Sequence, residues 1–177
     1  MNKLVFAASA ALLFLSGAAV AGERPVGEPI EKFGMRIGGV YLQGVVMDPQ
    51  DDICGPANGD IHLEADVHAL KGNPNGFGQG EWVPYLGVTF ELTKPGTPYA
   101  AKGALVPMVA NDGPHYGANV KLDGAGKYHV AFHFTPPVEH GFYRHTDKET
   151  GVGAWWAPFT QEWDFTFVGS AGKKGGY

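Results

Sequence analysis

The sequence predicts an all-β protein, an antiparallel β-sandwich of immunoglobulin-like type. Its 177 residues include 27 glycines and 13 prolines, which interrupt the chain at short intervals. Between them lie short runs rich in Val, Ile, Leu, Tyr and Phe, residue types that favour strands. No segment keeps an apolar period of 3.6 residues over a long stretch, so we expect no long helix. About seven strands in a chain of this length are typical of such a sandwich.

The predicted strands are apolar runs bounded by turn-forming residues. In chain order they are Met35–Met47, Asp60–Leu70, Trp82–Thr93, Ala104–Val109, Ala118–Leu122, Lys127–Thr135 and Gln161–Val168. Two of them, 60–70 and 127–135, also alternate strictly between apolar and other residues, which is the pattern of a strand with one face on the core. No internal repeat or linker divides the chain.

The first 21 residues predict a secretory signal peptide, which leaves residues 22–177 as one domain. Lys3 supplies a positive charge, residues 4–15 form an apolar run, and residues 19–21 (Ala-Val-Ala) match a small-x-small cleavage site. The alternative is an uncleaved membrane anchor. The apolar run is shorter than the roughly 20 residues of a spanning helix, so we expect no direct membrane insertion of the mature chain.

The charge balance limits the possible partners. The chain has 13 basic and 18 acidic residues and a net charge of −5 at pH 7. A negative protein is poorly suited to nucleic acid or to an anionic membrane surface. The same charge is compatible with binding cations.

The single cysteine excludes an intrachain disulfide. Cys54 lies in the polar stretch DDICGPANGD. We expect a free surface thiol there, and the alternative is an intermolecular bond in an oxidising compartment.

Metal-type side chains are concentrated in the strand predicted at 60–70. Its odd-numbered residues are apolar and are expected to face the core, whereas His62, Glu64, Asp66 and His68 share the other face. Such a polar row is usually the solvated side of a strand. The alternative is that His62 and Glu64, two residues apart, both reach one metal. For His129 and His133, which share a face of the strand at 127–135, exposure to solvent is the favoured interpretation.

A second group of donors lies in PMVANDGPHYGAN. There the chain is expected to leave a strand for a polar turn that brings Met108, Asp112 and His115 close together. A further histidine, His145, follows in GFYRH. A thioether with imidazoles suits copper, and the nearby carboxylates suit ferrous iron, manganese or zinc. No Ser/His/Asp arrangement, phosphate loop or CxxC motif is present in the sequence.

These segments resemble one family along nearly the whole mature chain. The motifs DIHLEADVHA, NPNGFGQGEWVPYLGVTFEL, PMVANDGPHYGANV and RHTDKETGVGAWWAPF are similar to those of the periplasmic high-affinity iron-transport proteins, the P19/Tp34 family. The resemblance implies an immunoglobulin-like sandwich that forms homodimers. It also implies one metal held by three histidines and a methionine, here His62, Met108, His115 and His145. The carboxylates Glu64 and Asp112 would then serve a neighbouring or alternative metal position.

The resemblance implies a periplasmic copper- and iron-binding component of a high-affinity iron-uptake system, which delivers iron to an inner-membrane permease. A carrier is favoured over an enzyme. The alternatives are a copper-dependent iron oxidase or reductase, which steady turnover of Fe(II) would reveal, and a structural sandwich with incidental histidines. A blue-copper site is disfavoured because it needs a cysteine thiolate beside two histidines. We also expect copper binding to weaken as the pH falls through the imidazole range near 6.5.

Overall fold

The chain folds into nine β-strands and one 3-10 turn in a computed structural model that describes residues 22–169. The strands are β1 (Arg24–Pro25), β2 (Ile30–Lys32), β3 (Met35–Gln43), β4 (Ile61–Ala69), β5 (Gly87–Thr93), β6 (Ala100–Ala110), β7 (Gly113–Val120), β8 (Gly126–Thr135) and β9 (Phe159–Phe167). The turn spans Pro137–His140. The all-β prediction is confirmed. The predicted signal peptide and residues 170–177 lie outside the described part of the chain. Within that part, no helix has the length and apolar character needed to cross a membrane.

Each of the seven predicted strands corresponds to one of β3–β9, with differences at the ends. Strands β1 and β2 are short and carry little apolar pattern, so they were not predicted. The predicted segment 82–93 is a strand only from Gly87, and Trp82 makes an isolated bridge to His68. The larger correction concerns residues 108–115. They form a tight hairpin between β6 and β7 rather than a long turn, so His115 is a strand residue, as Met108 was already predicted to be.

The strands follow one antiparallel path, in the order β1-β3-β4-β7-β6-β5-β8-β9, with β2 on β3. Strand β6 joins the two halves because residues 106–110 pair with β7 and residues 100–105 pair with β5. The two ends of the sheet, β9 and the β1–β3 end, also approach each other. The Trp163 indole donates to the Glu28 carbonyl at 2.9 Å, and the Tyr41 hydroxyl donates to Thr166 O at 3.3 Å. The sheet is therefore nearly closed into a barrel, and the immunoglobulin-like sandwich stays a prediction.

Aromatic side chains fill the interior between the two halves. Tyr128, Phe132 and Phe134 of β8 are fully buried, as the alternation predicts. The intervening histidines face outward, which confirms their expected orientation. His129 lies 2.8 Å from Asp164 and His133 lies 3.1 Å from Thr160 on the neighbouring strand.

Strand β4 departs from the alternating pattern because most of its residues are buried on both faces. It lies between β3 and β7, and its odd-numbered side chains form part of the core. Its even-numbered face carries His62 and Glu64, which are 1% and 5% exposed. A histidine and a glutamate are seldom buried without a partner or a ligand. This face of β4 is therefore the candidate functional surface.

Candidate metal centre

Two neighbouring strands bring the buried polar residues together. In the β4–β7 register, His62 lies opposite Asn119 and Glu64 lies opposite Gly117. Because alternate residues of a strand share a face, His115 points to the same side as Gly117 and Asn119. His115 is 6% exposed. The favoured solvated interpretation is therefore wrong for His62 and Glu64, and the metal interpretation has the geometry it requires.

The side-chain carboxylate of Glu64 lies between the two imidazoles. Its Oε1 atom is 3.5 Å from Nε2 of His62 and 3.5 Å from Nε2 of His115. One ligand atom from each residue falls within 4.8 Å of the others. Both Nε2 atoms are buried and have no hydrogen-bond partner. A buried polar atom without a partner costs about 1–3 kcal/mol, so two at one point indicate a missing ligand. Imidazole nitrogen and carboxylate oxygen are ordinary ligands of divalent transition metals, and the residues therefore fit a metal ion.

Burial controls the protonation of this group. Desolvation lowers the pKa of His62 to about 4 and also lowers the pKa of His115. Desolvation, together with the nearby carboxylate of Asp66, raises the pKa of Glu64 to about 8. At neutral pH the contacts are therefore between neutral imidazoles and a protonated carboxyl group rather than an ion pair. At 3.5 Å neither Nε2 atom receives a hydrogen bond from the Glu64 carboxyl group, whereas a metal ion would satisfy all three ligand atoms.

Gly117 leaves room for this arrangement. A Cβ atom added at Gly117 would lie 2.5 Å from Nε2 of His62 and 3.2 Å from Cδ2 of His115. Real Cβ atoms do not approach side-chain atoms as closely as the first of these distances. The backbone of β7 thus forms the floor of the site. A glycine is needed at position 117 because the two imidazole rings lie directly against its backbone, not because the chain turns there.

Gly117→Ala is expected to displace the two imidazoles and to lower copper affinity by at least about tenfold, a loss of ~1.4 kcal/mol in binding. The matched control is Gly38→Ala, because the Cβ added there meets only Asp66 Cβ, at 3.9 Å. Competition titration of both variants against a copper chelator measures the effect. Equal affinities in the two variants would show that Gly117 is not needed for the approach of the ligands.

Among the other predicted ligands, strand pairing places Met108 next to the cluster of His62, Glu64 and His115. It is half-buried on β6 and lies directly opposite His115 in the hairpin. Cross-strand partners share a face with Cβ atoms about 4.5–5.5 Å apart, so the thioether is on the side of the site. Asp112 lies at the tip of the same hairpin and is exposed. His145 lies on an exposed loop, where its Nδ1 is 2.7 Å from the Thr150 hydroxyl. Its convergence with the other ligands stays a prediction.

Two further acidic residues lie near the site: Glu23, which the sequence analysis missed, and Asp66, which it placed on the face of His62 and Glu64. Glu23 precedes β1, and its carboxyl group has a raised pKa because of burial and of the nearby Asp66 and Asp112. Asp66 also has a raised pKa, chiefly because of burial. With Glu64 and Asp112 they form a group of crowded carboxyls whose mutual repulsion adds to the effect of burial, and a bound cation would relieve this crowding. The alternation of β4 is enough to place Asp66 beside Glu64, but no local signal places Glu23 beside Asp112.

Cys54 corrects the expectation of a surface thiol. It is 5% exposed, and its thiol donates to Asp51 O at 3.3 Å. The backbone carbonyl of Cys54 accepts a hydrogen bond from the backbone N–H of Asn119 at 2.9 Å. The cysteine therefore belongs to the packing of the β3–β4 connection (residues 44–60) against β7.

An all-β fold with a buried two-histidine, one-carboxylate cluster defines a metal-binding β-protein. The chain belongs to the Fe2+ transport protein family, whose model matches residues 20–169. It is 51% identical over 168 residues to a UPF0423 protein of Brucella abortus, covering 93% of this chain and 92% of that protein. The predicted resemblance to iron-transport proteins is thus confirmed, and the chain is a metal-binding protein related to iron transport.

Solved structures show the same relationship. A copper-bound FetP variant from uropathogenic Escherichia coli strain F11 is 49% identical, with a TM-score of 0.79, covering 84% of this chain and 99% of that one. Copper-reconstituted P19 from Campylobacter jejuni is 46% identical, with a TM-score of 0.81, covering 85% and 99%. Copper-bound P19 variants carry glutamine for glutamate, histidine for aspartate, or isoleucine for methionine. Another FetP structure came from protein expressed in the periplasm.

Proposed function

We propose that this chain is a periplasmic copper- and iron-binding component of a high-affinity iron-uptake system. The observation that carries the proposal is the pair of buried, unpartnered imidazole nitrogens on either side of Glu64. Incidental histidines would lie in solvent, as His129 and His133 do. Membership of the Fe2+ transport protein family supports iron as the cargo, and the FetP protein expressed in the periplasm supports the location.

Copper binds on the imidazole side of the site. His62 and His115 offer neutral nitrogens at physiological pH, and Met108 adds a thioether from the opposite strand of the hairpin. Soft and intermediate donors of this kind favour copper over harder metals and need no thiolate that could be oxidised. The copper-bound structures of FetP and P19 support this assignment.

Iron binds on the carboxylate side of the site. Glu64 faces both imidazoles, and Glu23, Asp66 and Asp112 share its electrostatic neighbourhood. Carboxylates suit Fe(II), and manganese or zinc would bind there in its place. Two adjacent positions of different hardness would let the chain hold copper and iron together.

The working form is a homodimer that delivers iron to an inner-membrane permease. His145 is 75% exposed in its side chain, and it contacts Thr150 rather than the buried cluster. An exposed histidine of this kind is available to complete the copper site of its own or of a second subunit. Metal analysis of the purified protein tests whether it holds copper and iron. Its mass in solution, measured before and after copper is added, tests whether it is a dimer. A monomer that holds neither copper nor iron would overturn the proposal.

Two substitutions are expected to shift metal preference in opposite directions. Met108→Leu keeps the side-chain volume and removes the soft donor, so we expect Cu(I) affinity to fall by about tenfold, with little change for Mn(II). Glu64→Gln keeps the shape and removes the anionic oxygen, so iron or manganese should be lost more than Cu(I). Competition titrations with Cu(I), Cu(II) and Mn(II) measure both.

The expected result is weakened rather than abolished copper binding, because P19 variants with isoleucine for methionine or glutamine for glutamate are themselves copper-bound. Equal loss of every metal in both variants would favour one undivided site. Unchanged affinities in both variants would show that these two side chains do not bind metal.

A further inference from the structure

Asn119 contacts the His62 ring at Nδ1, on the side away from Glu64. It is 2% exposed and lies across the β4–β7 ladder from His62. Its Oδ1 lies 3.1 Å from His62 Nδ1 and accepts from the Val45 amide at 3.1 Å. Its Nδ2 donates to Val45 O at 2.8 Å and to Pro56 O at 3.2 Å. All the hydrogen-bonding capacity of this amide is therefore used.

These partners define which end of the amide faces His62. If the amide were flipped, its oxygen would face two backbone carbonyls and its NH2 group would face a backbone N–H. Both contacts would be repulsive, so Oδ1 must face Val45 N and His62. An amide oxygen only accepts, and His62 Nδ1 must therefore carry a proton and donate. In a neutral ring the lone pair is then on Nε2, the atom directed at Glu64 and His115.

We propose that Asn119 is a positioning residue that sets Nε2 as the metal-binding nitrogen of His62 and ties this choice to the β3–β4 connection. The inference rests on the proposed function, since it assigns a partner to one ligand of that site. A histidine that binds metal through one nitrogen usually donates its other N–H to an acceptor that holds the ring in place. Here the acceptor is a neutral side-chain amide, which orients the ring without adding a negative charge behind it.

The β3–β4 connection holds Asn119 in place through its own backbone. Val45 and Pro56 bind the side chain, and the Cys54 carbonyl accepts from the Asn119 N–H at 2.9 Å. Gly55 packs so close to the Asn119 carbonyl that a Cβ atom there would collide with it. Any rearrangement of residues 44–60 would move the Asn119 amide, and with it the acceptor of His62. Metal binding and the order of this connection are therefore coupled.

The experiment uses Asn119→Leu, Asn119→Asp and the matched control Asn75→Leu. Asn75 is also a buried asparagine, but it donates to the carbonyls of Gly153 and Ala154 instead of a histidine. The tautomer of His62 is read in the metal-free proteins from long-range 1H–15N NMR correlations of the ring. Copper affinity is measured by competition titration, and amide hydrogen exchange reports the order of residues 44–60.

In the wild type and in Asn75→Leu we expect the Nδ1–H tautomer and the same copper affinity. Asn119→Leu removes the acceptor, so the tautomer should become mixed and copper affinity should fall about 10–100-fold. Asn119→Asp keeps an acceptor but loses both donors to the connection. It should keep the Nδ1–H proton, bind copper better than Asn119→Leu, and show faster amide exchange in residues 44–60.

An unchanged tautomer in Asn119→Leu, or an equal loss of affinity in Asn75→Leu, would overturn the inference. The tautomer is read without metal, so it decides the role of Asn119 even if the proposed function fails. That failure would appear separately, as a wild-type protein that binds no copper.

Discussion

His115→Leu is expected to remove metal binding while leaving the metal-free fold as stable as the wild type, or more so. The buried Nε2 of His115 has no hydrogen-bond partner, and such an atom costs about 1–3 kcal/mol. Leucine brings no polar atom into the site, and its apolar side chain replaces much of the packing that the imidazole ring provides. His115 therefore lowers the stability of the metal-free protein and raises its affinity for metal.

The size of the effect is measured by thermal or denaturant unfolding with and without copper. At a free copper concentration about 1,000 times the wild-type Kd, binding stabilises the folded state by about 4 kcal/mol. If the variant binds about 1,000-fold more weakly, the same copper adds only about 0.4 kcal/mol. The control is His129→Leu, since His129 is a partly exposed histidine outside the cluster, and its Nδ1 lies 2.8 Å from Asp164. A His115→Leu protein that copper still stabilises by the wild-type amount would remove His115 from the ligand set.

Much of the fold follows from local patterns in the sequence. The alternation in residues 60–70 and 127–135 identifies β4 and β8 and the side chains that face the core. The short strands β1 and β2 do not follow from any local pattern, because their pairing with β3 rather than their composition makes them strands. The Gly and Pro residues around 107–114 indicate a turn, yet only Asn111 and Asp112 are needed to connect β6 to β7.

The candidate site was only partly accessible from the sequence. Alternation places His62 and Glu64 on one face, but whether that face is solvated depends on what covers it. The answer comes from residues far along the chain, because Asn119 and His115 reach His62 and Glu64 only through the β4–β7 pairing. The same distance explains why Asn119 was missed. Its role follows from hydrogen bonds to residues 57 and 74 positions away, which no sequence motif describes.

The protonation of Glu64 moves the expected pH dependence of copper binding. Protonation of exposed imidazoles would weaken binding near pH 6.5, but burial keeps His62 neutral down to a pKa of about 4. The group that must change its protonation is Glu64, whose pKa is raised to about 8 by burial and by Asp66. Without metal, this raised pKa makes stability fall as the pH rises from about 4.5 towards 8, because the unfolded state loses the proton first. Glu64→Gln should remove that decline.

Cu(II) binding to the wild type at pH 7 is accordingly expected to release about 0.9 proton, because Glu64 can reach the same ion as the two histidines. A carboxyl group with a pKa near 8 is mostly protonated at pH 7 and must lose its proton to bind metal. Affinity should rise by up to about tenfold per pH unit between pH 6 and 8 and then level off. Glu64→Gln has no proton to release, so its affinity should be nearly flat over this range. Calorimetry in buffers of different ionisation enthalpy counts the protons directly. A wild-type protein that releases none, or a variant that releases as many, would show that Glu64 is not a ligand and that copper is held by the histidines without it.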